Sequence, residues 1–485
     1  MSLRFYNQLT KQVDVFSPMK AGEVALYTCG PTVYNELTVG NWAAYIYWDT
    51  LVRVLRANDL AVTRVLNITD VGHLVSDEDD GEDKLEKGAT REGKTAWEVA
   101  RLYTDSFLDG MKELHLVRPE YMPHATEYIN QQLELVRTLK EKGHTYQISD
   151  GVYFDSSTFP NYAEFAALDL EGQKAGSRIE RNPEKRNASD FALWKFRPEN
   201  QKRDMQWETP SDLTDGSTTP MGFPGWHLEC SAMIRELLGT TIDIHTGGID
   251  HIPVHHTNEI AQSQSAYNAP LSRFWLHNNH LKVDGTKISK SLNNGYTLSD
   301  IKAKGYDPLD VKLFVLQGHY KGEGNFSFEN LEAAAHRRRH WRNVAALRHQ
   351  IHDTLSQDSH VEEDEKTTSL YAASGAVLEA ISDDLNTPVA LSIIDKAFSR
   401  IEAANQNTIH HHALVSFLET LDDLLGLELL SSTPDISDEQ KQRIIARTRA
   451  REQKDFKESD KIRAEFEEQD LNLRDTPHGV VWEYL

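Results

Sequence analysis

The chain of 485 residues is strongly acidic, with a formal net charge of −23. That length exceeds one hydrophobic core and predicts two or three domains. The charge argues against a generic nucleic-acid binder, whose affinity rests on basic surface, but it leaves room for a local basic face. No apolar run approaches the roughly 18 residues of a membrane span. The N-terminus, Met1-Ser-Leu-Arg-Phe-Tyr-Asn7, carries no secretory pattern. The two cysteines, Cys29 and Cys230, make no disulfide framework. A cytoplasmic protein with free thiols and no membrane partner is expected, and a single Cys29–Cys230 disulfide is the alternative.

In chain order, Glu23-Val-Ala-Leu-Tyr-Thr28 reads as a buried strand ending at Cys29. Gly40 to Asn58 reads as a helix, with Tyr45, Trp48, Leu51, Val52 and Leu55 at helical spacing. The next strand is Ala61 to Ile68. Strand, helix and strand make a βαβ unit, and hence a parallel sheet whose ligands bind at the carboxyl ends of its strands. Cys29 and Thr69-Asp70 sit at such ends. The acidic run Ser76 to Asp83 reads as a solvated loop without calcium-loop spacing. Helices are expected over about residues 95–143. Residues 145–225 read as irregular, apart from a short strand at Gly151-Val-Tyr-Phe154. Parallel-sheet character returns at Thr241 to His245, and from about residue 325 the chain reads as helical, with polar breaks at Gln357 to Thr368 and Ser431 to Asp438. Asp475 to Glu483 resembles a short hairpin.

Cys29, Cys230, His255 and Glu259 are of the types that hold tetrahedral Zn²⁺, and His255 and Glu259, four apart, share one face of a helix. Taken singly, each is as readily a small buried hydrophobe or a satisfied core residue. The Gly247-Gly248-Ile-Asp250 turn and the Pro31 to Gly40 loop would let backbone approach a nucleotide closely. Lys287 and Lys290, in Lys-Ile-Ser-Lys-Ser291, supply ammonium groups suited to a triphosphate. The basic segments His336 to Arg342 and Arg443 to Arg463, the latter with eight Lys/Arg against four Asp/Glu, are either nucleic-acid contacts or solvated helix faces.

The ordered series Cys-Gly-Pro-Thr-Val-Tyr, Asn-Ile-Thr-Asp, Pro-Gly-Trp-His-Leu-Glu-Cys-Ser-Ala-Met, Asp-Ile-His-Thr-Gly-Gly-Ile-Asp, His-His-Thr-Asn-Glu-Ile-Ala-Gln-Ser and Lys-Ile-Ser-Lys-Ser resembles the cysteinyl-tRNA synthetases, of the class I aminoacyl-tRNA synthetases. The resemblance runs on through Asp384-Leu-Asn-Thr-Pro to Lys454-Asp-Phe and Asp475-Thr-Pro. It implies an α/β fold: a doubly wound, Rossmann-like catalytic domain over 1–322 with an insertion at about 110–222 and the KMSKS-type loop at 287–291, a helical bundle over 323–430, and a small mixed α/β tRNA-binding domain over 431–485. It further implies one Zn²⁺ per chain on Cys29, Cys230, His255 and Glu259, taking the substrate thiolate beside Trp226. Gly30 and Thr69 would hold the substrate amino group. Gly40, Gly247, Gly248, Asp250 and Lys290 would hold ATP, which comes with Mg²⁺. The implied partners are L-cysteine, ATP and tRNA(Cys), with a monomer expected.

The HIGH-type motif reads Thr38-Val-Gly-Asn41, so both histidines are replaced. Thr38 and Asn41 can donate hydrogen bonds to phosphate but carry no positive charge. Two alternatives stay open: a ligase joining cysteine to an amino sugar, and a catalytically degenerate tRNA-binding or cysteine-sensing protein.

Overall fold

The computed structural model describes residues 2–72, 83–168, 182–198, 203–216, 220–288, 294–350, 365–403, 411–477 and 479–485. Its centre is a four-stranded, wholly parallel sheet. The elements are β1 (Glu23–Thr28), α1 (Val39–Ala57), β2 (Ala61–Leu66), α2 (Trp226–Leu237), β3 (Ile242–Gly248), α3 (Thr257–Tyr267) and β4 (Ser272–Asn278). The strand order is β4-β3-β1-β2. β1 and β3 are neighbours, paired from Ile244↔Leu26 to Thr246↔Thr28, while their connections leave toward opposite edges. Their carboxyl ends therefore open a crevice at the topological switch point, where sheets of this kind bind ligands. β3 is buried on both faces up to Gly247, as a central parallel strand must be.

Between β2 and β3 the chain builds helices at Lys84–Glu92, Ala96–Glu113 and Ile129–Glu141 and a separate antiparallel sheet of five strands. The strands lie in the order Thr145–Ile148, Gly151–Phe154, Phe191–Phe196, Met221–Pro224 and Trp207–Glu208. The sequence reading expected an irregular segment here. Phe191–Phe196 is buried at every position and Trp207–Glu208 is only two residues long, so neither shows the alternation that marks a strand. Ser76 to Glu82 of the acidic run lie outside the described residues, while Asp83 caps the helix behind it, its carboxylate accepting from the Leu85 and Glu86 amides.

After β4 come the hairpin strands Leu281–Val283 and Thr286–Lys287, then helices α4 (Leu298–Ala303) and α5 (Pro308–Leu316). Four longer helices follow, α6 (Phe328–Ala346), α7 (Glu365–Ser382), α8 (Thr387–Ala403) and α9 (His411–Leu425). They are packed around Trp341, Phe398 and Phe417. The basic run His336 to Arg342 is divided: His336 and Arg339 are exposed, while Arg338 and Trp341 are buried. Arg338 pairs with Asp310, Arg337 with Asp395 and His340 with Glu402. At the seam between α1 and α5 the fully buried Lys312 ammonium lies 3.0 Å from Asp49, which also holds Arg53 at 2.7 Å.

The chain ends with α10 (Asp438–Glu452), α11 (Phe456–Glu467) and the hairpin Leu471–Thr476/Gly479–Tyr484, around a core of Ile462, Phe466, Leu473 and Trp482. Among the described residues no helix is long and apolar enough to cross a membrane.

Candidate metal centre and substrate pocket

Four segments converge on the crevice. Cys29 follows β1 and is fixed by its own amide, which donates to the Thr246 carbonyl of β3 at 3.1 Å. Cys230 lies on α2. His255 belongs to a π-helical turn, Ile252–His256, that leads into α3, and Glu259 sits one turn further on. The Nε2 of His255 lies 2.9 Å from a Glu259 carboxylate oxygen and 3.5 Å from the Cys230 sulfur. Both cysteines are free and buried, so the disulfide alternative is not realised. The ligand atoms of Cys29, Cys230, His255 and Glu259 all lie within 4.8 Å of one another. The edge of a Zn²⁺ tetrahedron is roughly 3.3–3.8 Å, so small side-chain adjustments close the cage, and the donor set fits the ion.

The electrostatics fit as well. Burial opposes charge on His255, but Glu259 and Cys230 outweigh it and hold the imidazole up to about 10. Burial also opposes the Glu259 carboxylate, which His245 and His255 nevertheless bring down to about 2. The contact with Cys29 draws the Cys230 thiol down to about 7, while burial pushes Cys29 well up. One sulfur is thus poised as thiolate beside a cationic imidazole, and a bound dication would substitute for that imidazolium. Behind the four, His227 Nδ1 meets His255 Nδ1 at 3.0 Å and His245 Nε2 meets Glu259 at 3.1 Å, contacts that orient the ligating side chains.

Beside this cluster the Trp226 ring stacks on His255 with centroids 4.4 Å apart, and it is partly exposed. The Gly30 amide donates to Asn67 Oδ1 at 2.8 Å, Asn67 Nδ2 donates to Thr69 Oγ1 at 3.0 Å, and Thr69 Oγ1 donates to Glu229 at 3.2 Å. Gly30 has no space for a side chain, because a Cβ would stand 1.5 Å from the Asn67 carbonyl oxygen. The structure thus brings Gly30, Thr69 and Trp226 to the same crevice end as the four ligand-type residues. Gly247 and Gly248 end β3. A Cβ on Gly247 would stand 2.7 Å from both His251 and His256, and one on Gly248 would stand 2.3 Å from the exposed Asp250 carboxylate.

Thr38 and Asn41 are engaged with each other. The Thr38 amide and hydroxyl both donate to Asn41 Oδ1, at 3.0 and 2.9 Å, capping α1. Ile288 covers Gly40, its Cδ1 lying 2.6 Å from where a Cβ would be. Lys287 is exposed on its hairpin strand, and Lys290 lies outside the described residues.

Sequence reasoning missed His227, His251, His277, Asn67 and Glu229. The signal for His227 was its position three residues before Cys230 on one helix. Asn67 is within two residues of Thr69.

Residues 15–336 match the family described as the tRNA synthetases class I (C) catalytic domain, and residues 376–430 match the DALR domain. A cysteine–tRNA ligase of Burkholderia lata is 38% identical over 99% of this chain and 96% of its own length. The chain belongs to the cysteine-type class I tRNA synthetases. A second relative in this family, the cysteine–tRNA ligase of Treponema denticola, is 36% identical over the full length of both chains. In fold the chain is similar to a Mycobacterium tuberculosis methionyl-tRNA synthetase bound to methionyl-adenylate, with a TM-score of 0.61 at 14% identity over 84% of this chain and 92% of that one. It is also similar to a LeuRS–tRNA–LeuAMS complex of Agrobacterium radiobacter, with a TM-score of 0.62 at 12% identity over 87% of each.

Proposed function

We propose that the chain is a cysteine–tRNA ligase that activates L-cysteine with ATP and transfers it to the terminal ribose of tRNA(Cys). Full-length similarity to ligases of that name carries this reading. The match extends through the bundle and the C-terminal unit, which favours a tRNA acceptor over an amino sugar.

The cysteine carboxylate attacks the α-phosphorus of ATP and pyrophosphate leaves; a ribose hydroxyl of the tRNA then attacks the adenylate carbonyl and AMP leaves. Neither step needs a covalent enzyme intermediate, so the residues act by position and charge. Cys29, Cys230, His255 and Glu259 would hold one Zn²⁺, which supplies a Lewis acid that deprotonates a coordinating thiol and prefers it to a serine hydroxyl. Trp226 walls the pocket and excludes water, and Thr69 with the Gly30 backbone receives the amino group. A site built on sulfur chemistry discriminates more strongly than an apolar pocket, which makes a separate editing site unnecessary.

Gly40, Gly247, Gly248 and Asp250 border the place for ATP with its Mg²⁺, and Lys290 and Lys287 bring charge to its phosphates. Thr38, its hydroxyl engaged by Asn41 Oδ1, serves by presenting the amide end of α1, while the exposed Asn41 side chain offers its amide nitrogen as a donor to phosphate.

For tRNA, the basic stretch Arg443 to Arg463 is partly consumed internally. Arg443 pairs with Glu465, and Arg447, Arg451 and Arg463 surround Asp475. Arg449, Lys454 and Lys457 are exposed, and they are the cations we assign to the tRNA contact.

The test is aminoacylation of tRNA(Cys) by zinc-replete protein, with serine and a non-cognate tRNA as controls. Charging with cysteine alone supports the reading. Absence of charging by folded, zinc-loaded protein refutes it, and cysteine-dependent ATP–pyrophosphate exchange then separates an amino-sugar ligase from a non-catalytic binder.

A further inference from the structure

The metal centre is surrounded by more imidazoles than four ligands require. Among the described residues, three groups of ligand atoms each lie within 4.8 Å of one another: Cys29, Cys230, His255 and Glu259; Cys29, His245, His256 and Glu259; and Cys29, His251, His255 and His256. Cys29 belongs to all three, whereas Cys230 belongs to one. We propose that the centre has a second ligand set, in which His251 and His256 join Cys29 and His255, so that metal retention depends on Cys29 and not on Cys230.

The geometry favours this set over the one containing His245. The set with His245 takes up Glu259 again, the carboxylate its Nε2 already faces at 3.1 Å, whereas the set with His251 draws on neither Cys230 nor Glu259. His256, which both sets share, has Nδ1 held by His277 at 2.7 Å and presents Nε2 to the Cys29 sulfur at 3.4 Å. One nitrogen anchored and the other aimed at a sulfur is how a ligating histidine is oriented. His251 lies against both neighbours, 5.0 Å from His255 and 5.2 Å from His256 between ring centroids, and its enclosed Nδ1 has no hydrogen-bond partner among the described residues. Gly247 keeps that space open, since its Cβ would stand 2.7 Å from the His251 Nδ1. Three imidazoles and one thiolate make an ordinary Zn²⁺ donor set.

The proposal rests on the reading of this cluster as a metal site, and the test separates the two. Full-length wild type, Cys29→Ala, Cys230→Ala, His251→Leu and the Cys230→Ala/His251→Leu double variant are dialysed against a competing chelator. Zinc per chain is measured, with far-ultraviolet circular dichroism as the folding control. Cobalt-substituted samples report tetrahedral d–d bands and thiolate charge transfer. The expected result is that Cys230→Ala keeps more than half the wild-type zinc, with weakened charge transfer, while Cys29→Ala and the double variant keep less than about a tenth. Zinc loss in Cys230→Ala equal to that in Cys29→Ala overturns the proposal, as does a double variant no worse than Cys230→Ala. Titrating cobalt into folded apo-Cys29→Ala guards against a preparation artefact, and tetrahedral binding as tight as wild type there also overturns it. Wild-type protein that binds no metal at all overturns the metal reading itself, and this proposal with it.

Discussion

Gly30→Ala is a small change with a large expected consequence. The new Cβ would stand 1.5 Å from the Asn67 carbonyl oxygen, against a lower limit of 3.0 Å for real Cβ contacts. The obstacle is backbone, so no rotamer relieves it, and the ends of β1 and β2 must separate by more than 1 Å. That displacement carries Cys29 away from its bond to Thr246 and breaks the Gly30–Asn67–Thr69 chain. A misplacement of about 1 Å costs on the order of 100-fold in rate, about 2.7 kcal/mol. Cysteine-dependent ATP–pyrophosphate exchange measures it as kcat/KM for cysteine. Gly375→Ala is the control, because nothing among the described residues lies within 4 Å of its Cβ. A Gly30→Ala enzyme within about threefold of wild type would refute the placement of Gly30 at the substrate's amino group.

The buried pair at the α1–α5 seam gives a stability prediction: Asp49→Asn removes the negative charge and leaves the buried Lys312 ammonium facing neutral carbonyl oxygens, those of Leu114 and His115 among them, and urea unfolding should show a loss of about 3–5 kcal/mol. His340 and Glu402 join α6 to α8, the hydrogen bond between them raising the histidine and lowering the carboxyl. Their contribution is therefore full below about 6.5, the unfolded histidine value, and above about 4.3, the unfolded carboxyl value; it fades as pH rises through the raised histidine pKa or falls through the lowered carboxyl pKa. His340→Gln should accordingly lower the melting temperature more at pH 6 than at pH 9, by an amount equivalent to no more than about 1 kcal/mol, since the pair is partly exposed. Replacing Arg449, Lys454 and Lys457 by Glu should raise KM for tRNA at least about tenfold, steeply with salt, while pyrophosphate exchange stays unchanged; equal effects on both assays would remove these residues from the tRNA contact.

What the sequence disclosed follows from periodicity and chain order. β1, α1 and β2 were legible because a buried strand, an amphipathic helix and a second strand succeed one another with clear spacing. The observed helix, Val39–Ala57, lies one residue from the expected start and end. The His255/Glu259 pair was legible because i,i+4 spacing is a local property. The five-stranded sheet of the insertion was not, since Phe191–Phe196 is buried throughout and its partners are short. The histidines around the ligand set were not either. His227, His251 and His277 come from α2, the turn after β3 and β4, and only the crossing of those elements makes them neighbours. Which cations of a basic run face solvent was hidden for the same reason: Arg338 and Arg447 are internal counter-ions in the fold, while Arg339, Arg449, Lys454 and Lys457 are exposed.

The measurement closest to the central claim compares cysteine and serine activation by the same protein, first zinc-replete, then after chelation, then after zinc is restored. The account predicts strong preference for cysteine with zinc, collapse of that preference without it, and recovery on restoration. Undiminished cysteine selectivity in folded, zinc-free protein would contradict it.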